Sequence, residues 1–164
     1  MQPVPVQGPE AWLAADLQNS SDWWSTFSNA DLVELDRALQ HALATRRPLR
    51  ELTRNEPLAS VAILTPSSEV SAAYYEGLYR SDLPDLRRVE KQDFTFAPGI
   101  EISEIEQAKG LEFDYVILVD VCARNLPDTP AARRLLHVGA TRAVHQLWLT
   151  SVGTPSPLVI DLGS

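Results

Sequence analysis

Ala108-Lys109-Gly110-Leu111-Glu112-Phe113-Asp114-Tyr115-Val116-Ile117-Leu118-Val119 is the stretch on which the fold turns. Its second half, Tyr115 to Val119, is an unbroken apolar run, the pattern of a strand covered on both faces and so of a parallel sheet. Its first half is a polar turn between two predicted strands, where an α/β sheet presents ligand-binding loops. Upstream, Ile100 to Ile105 alternates apolar and polar residues and predicts a second strand, with a short one near Arg88-Val89. Val61-Ala62-Ile63-Leu64 is another buried-strand run, and Pro66-Ser67-Ser68 then opens a helix whose apolar stripe is Val70, Ala73, Tyr74 and Leu78. Pro84 bars its extension. Downstream, Asp128-Thr129-Pro130 starts a helix carrying Leu135, Leu136 and Val138, with proline in the first turn, where its missing N–H costs nothing. Leu147-Trp148-Leu149 reads as the last strand. Strands alternating with helices predict a three-layer α/β domain with a mainly parallel sheet.

The segment before it reads differently. Pro3, Pro5 and Pro9 predict an extended start, and Trp12, Trp23, Trp24 and Phe27 read as the packing face of short helices. Ser28 can cap a helix with Leu32, Leu35, Leu39, Ala42 and Leu43 at helical spacing. Arg46-Arg47-Pro48 stops that helix, which predicts a linker over residues 46–57. The expected organisation is a helical segment or linker over 1–56 and the α/β domain over 57–164.

Composition sets bounds. With 45% hydrophobic and 22% charged residues the 164-residue chain is that of an ordinary globular protein. Its formal charge of −8 repels a phosphate backbone, so any nucleic-acid contact must be local or shared with other domains. The pairs Arg46-Arg47, Arg87-Arg88 and Arg133-Arg134 are the candidate positive patches. The lone Cys122 excludes an internal disulfide and fits a reducing, cytoplasmic setting. No run approaches the ~20 apolar residues of a membrane span. His41, His137 and His145 lack metal-ligand spacing, and Asp114 and Asp120 read as strand-end caps.

Two segments carry candidate chemistry. In Lys109-Gly110-Leu111-Glu112, Gly110 permits close backbone approach, Lys109 brings positive charge and Glu112 can accept a sugar hydroxyl or order a water. In Arg133-Arg134-Leu135-Leu136-His137-Val138-Gly139-Ala140-Thr141-Arg142-Ala143, a helix ends on an arginine that either makes a surface ion pair or stabilises transferring phosphoryl charge. Spacing alone does not separate the two.

The pair resembles motifs V and VI of the UvrD/Rep group of superfamily 1 helicases, T-x-H-x-A-K-G-L-E-F followed by R-R-L-x-Y-V-[GA]-x-T-R-A. The match runs from Ala108 to Phe113 and from Arg133 to Ala143, and residues 61–78 resemble a strand and helix of the same domain more loosely. This resemblance implies a RecA-like (P-loop NTPase-like) fold and the second RecA-like half of an ATP-dependent DNA helicase. Gly110 and Glu112 would lie against the triphosphate and ribose of ATP. Arg142, its guanidinium free at the end of a helix over Pro130–Ala143, would reach the γ-phosphate. The chain has no G-x-x-x-x-G-K-[ST] loop, so a first RecA-like domain with a Walker A loop, upstream or in trans, is the expected partner. That domain would supply the Mg2+ ligands, and single-stranded DNA would be the track. Glu104 and Glu106 stand in place of the family's Thr and His, and His137 in place of its Tyr. The two carboxylates motivate an alternative, a degenerate RecA-like module used for protein interaction.

Overall fold

The computed structural model describes residues 48–79, 83, 85–151 and 153–159. The readings made above for residues 1–47 and for Pro84 lie outside the described residues. The elements are a helix over residues 48–55 (α1), β1 (Ser60–Thr65), α2 (Ser68–Tyr79), β2 (Leu86–Arg88), β3 (Gly99–Glu104), a 3-10 turn (Ile105–Ala108), β4 (Phe113–Leu118), α3 (Pro130–Ala140) and β5 (Ala143–Leu149).

The five strands form one sheet in the order β2-β3-β1-β4-β5. Every pairing is parallel, with Ser60 opposite Gly99, Val61 opposite Tyr115 and Phe113 opposite Ala143. Side chains of a strand alternate between faces, so β1 feeds two cores. Val61 and Ile63 join Ile100, Ile102 and Ile117 under Leu49 of α1 and Ala73, Tyr74 and Leu78 of α2. Ala62 and Leu64 join Val116, Leu118 and Phe113 under Ile105 and Ala108 of the 3-10 turn and Ala132 of α3. Helices on both faces of a parallel sheet make the three layers that the apolar runs predict.

Local chemistry fixes the helix starts. Thr129 is extended, and its side-chain oxygen accepts the Ala132 N–H at 3.2 Å, with Pro130 in the first turn. Two boundaries differ from expectation. The linker predicted over 46–57 is helical over 48–55, and Leu49 is fully buried; Leu49 and Leu52 hold this stretch against the apolar core. α3 ends at Ala140 rather than Ala143, because Thr141 and Arg142 turn the chain into β5. Among the described residues no helix is long and apolar enough to cross a membrane.

Candidate functional site

Beyond β3 the chain makes the 3-10 turn, which buries Ile105 and Ala108 and carries the backbone down one face of the sheet. Lys109 N–H donates to the Glu106 carbonyl at 3.3 Å and Leu111 N–H to the Ala108 carbonyl at 3.0 Å. Between them Gly110 has φ +83, and a Cβ there would meet nothing within 4 Å. Backbone conformation, not crowding, is what asks for glycine here. Glu112 then leads into β4, and Lys109, Gly110 and Glu112 are all exposed.

On the neighbouring strand α3 delivers its last turn to the same edge. Gly139 is the close-approach residue: a Cβ on it would lie 2.7 Å from Leu118 Cδ2 and 3.2 Å from Ile105 Cγ2. Because α3 sits this low on the sheet, the Phe113 N–H reaches the Arg142 carbonyl at 2.9 Å and joins the two segments.

The Arg142 side chain tightens that junction. Its Nε donates to the Val138 carbonyl at 3.0 Å, one Nη to the Leu111 carbonyl at 3.0 Å, and the other Nη to Thr141 Oγ1 at 2.9 Å. Thr141 Oγ1 in turn donates to the His137 carbonyl at 2.9 Å, with the Val138 carbonyl 3.2 Å away. A guanidinium on the last carbonyls of a helix also meets the negative end of its dipole. The expectation of a free guanidinium is therefore corrected: Arg142 is half-buried and tied to its own domain. Gly110, Glu112 and Arg142 gather where β4 and β5 begin, with the loop between two strands as its sequence suggests.

Next along β4, Asp114 accepts from Ser60 N–H at 2.8 Å and Ser60 Oγ at 3.0 Å, and its own N–H donates to Ser60 Oγ at 3.0 Å. The Ser60 backbone bond, first among the causes, holds the Asp114 carboxyl below its ordinary range, and His145 Nε2, 3.5 Å away, adds to it. Asp120 is held by Asn125 Nδ2 at 2.8 Å. Both aspartates are thus the strand-end clamps that their positions suggest. The thiol of Cys122 is pushed up by burial.

Glu104 ends β3 half-buried, within 3.5 Å of Gln107 Nε2, and Glu106 is exposed on the 3-10 turn. They lie at the opposite end of the loop from Arg142. Among the described residues the candidate positive patches carry local ion pairs: Arg87 pairs with Asp93 at 3.1 Å, Arg88 with Glu90 at 3.3 Å, and Arg133 with Asp128. Sequence reading missed Thr141, Ser60 and the Leu111 carbonyl. Only Thr141, adjacent to Arg142, carried any signal.

A parallel five-stranded sheet covered by helices on both faces, with two loops that converge on one arginine at the β4 and β5 entrances, defines the class, a three-layer α/β domain. Residues 99–150 match the family model described as the UvrD-like helicase C-terminal domain. The chain is similar to the ATP-dependent DNA helicase srs2 of Schizosaccharomyces pombe, 36% identical over 78 residues, covering 44% of this chain and 9% of that protein. It therefore spans a small part of that relative's length. Its fold is similar to a crystal structure titled as the C-terminal domain of a possible DNA helicase from Lactobacillus plantarum WCFS1, with TM-score 0.62, 26% identity, and coverage of 74% of this chain and 73% of the other. The chain carries a UvrD-like helicase C-terminal domain.

Proposed function

We propose that this chain is one jaw of an ATP-driven DNA helicase or translocase, and that its Arg142 edge faces ATP held by a first RecA-like domain. The observation that carries the reading is the Arg142 to Leu111 hydrogen bond, which unites the two motif segments in one site. The residues suit a triphosphate. Three hydrogen bonds engage the guanidinium, which leaves about two of its five N–H donors for phosphoryl oxygens. Lys109 and the exposed Gly110 backbone stand beside it, and Glu112 is the acceptor for the ribose hydroxyls. Among the described residues no three His, Cys, Asp or Glu side chains group as a metal site, and the ligands of Mg2+ belong in this proposal to the partner domain.

Bound ATP supplies the phosphoanhydride that water cleaves to ADP and phosphate. In that step the chain's own part is electrostatic. Arg142 offsets charge gathering on the transferred phosphoryl group, a contribution of ~10³–10⁵ in rate where such arginines act from a second domain. Closing and reopening of the two jaws would move the single strand. The test is ATP turnover by this chain mixed with, or fused to, a Walker-loop RecA-like domain of the same family. Turnover that appears only in the assembly and falls about 100-fold with Arg142→Ala and with Arg142→Lys supports the reading. Turnover unaffected by either variant refutes it.

The exposed Glu106, the half-buried Glu104 and the net charge of −8 favour a second reading, a RecA-like module retained for protein contacts. An assembly that forms but neither hydrolyses ATP nor binds single-stranded DNA is the outcome that reading requires.

A further inference from the structure

The posture of Arg142 depends on a neighbour. Thr141 sits just past the last turn of α3 and is exposed. Its hydroxyl proton is committed to the helix-end carbonyls of His137 and Val138, so its oxygen lone pairs face the Arg142 guanidinium and accept one Nη at 2.9 Å. With Nε on the Val138 carbonyl and the other Nη on the Leu111 carbonyl, the planar group is fixed at three of its corners. A guanidinium is rigid and planar, so three fixed bonds also fix the directions of its remaining N–H donors.

We infer that Thr141 is a positioning residue that orients the Arg142 guanidinium as a preset, two-donor receptor for a phosphoryl group. This inference rests on the proposed phosphate-facing role of Arg142 and deepens it. An arginine held in advance loses less conformational entropy on meeting an anion than a free one. It also needs no reorganisation as charge develops. Valine has the shape of threonine without the acceptor, while serine keeps the acceptor, so the two substitutions separate chemistry from packing.

The experiment is carried out on the full chain labelled with 15N, with the Arg142 side-chain N–H signals assigned by their disappearance in Arg142→Lys. In the wild type, separate Nη signals report a guanidinium that does not rotate freely. Inorganic tripolyphosphate, the probe, should shift those signals on titration. Thr141→Val should merge the Nη signals and weaken tripolyphosphate binding about tenfold, one charge-assisted hydrogen bond's worth. Thr141→Ser should restore both. Nη signals that stay resolved in Thr141→Val overturn the inference, whatever the probe does. If the signals merge in Thr141→Val but tripolyphosphate leaves the wild-type Arg142 unmoved, the hold of Thr141 stands and the phosphate-facing reading of Arg142 falls.

Discussion

Arg142 touches the helix it ends, the loop it faces and the residue beside it, so its removal has a cost in folding as well as in function. Truncation leaves the Leu111 and Val138 carbonyls without their charged donor. Arg142→Ala should lower stability by about 1–3 kcal/mol, as lost hydrogen bonds of partly buried charged groups do; urea unfolding measures it, and a change within about 0.5 kcal/mol would mean that solvent replaces the contacts. Asp114 gives a pH-dependent counterpart. Its carboxyl is held below the ordinary value of 3.8, so the stability it contributes is complete above that pH and is lost as pH falls through the lower folded value. The wild type should therefore lose more stability than Asp114→Asn between pH 5 and pH 2. Parallel thermal melts across that range would reveal a pH-independent difference if Ser60 gained nothing from the charge. Arg142 was legible as a candidate from its neighbours in sequence. Its tether was not, because the Leu111 carbonyl is a backbone atom 31 positions away.

The elements around the site work through close packing and charge. α3 approaches the sheet at Gly139, where even a Cβ would overlap Leu118. Gly139→Val should destabilise by about 1–3 kcal/mol through overpacking, and should disturb Arg142 by lifting the helix end. A melting temperature equal to that of the wild type would show that α3 can slide at no cost. The 3-10 turn makes the electrostatic half of the argument. Glu104 and Glu106 begin it, and the nearby arginines of β2 already have acidic partners. Single-stranded DNA should bind weakly at physiological salt, and Glu104→Thr with Glu106→His should tighten it several-fold by removing like charge. Fluorescence anisotropy decides; tight wild-type binding with little salt dependence contradicts the claim. The turn itself escaped sequence reading, since Ile105-Glu106-Gln107-Ala108 is too short to show a helical period.

For the molecule as a whole, the sheet was legible where both faces are buried. Val61 to Leu64 and Tyr115 to Val119 are apolar without interruption because helices cover both sides, and that pattern predicts parallel strands directly. The order β2-β3-β1-β4-β5 was not legible, because pairing partners are chosen by packing between distant segments. Nor was the burial of Leu49, which follows a proline and shares its core with Ala73, Tyr74 and Leu78 of α2. On the proposed reading, the chain alone, which has no Walker-type G-x-x-x-x-G-K-[ST] loop, should release no phosphate from ATP above background, and malachite-green detection on the purified chain tests this; sustained release that survives removal of contaminating ATPases would contradict it. One consequence of the strand order is temporal. β1 lies at the centre, yet both of its neighbours, Gly99–Glu104 and Phe113–Leu118, are made later. During synthesis its apolar residues keep at least one edge unpaired until the ribosome has released β4, so nascent chains stopped before Phe113 should be the ones that chaperones hold and proteases clear.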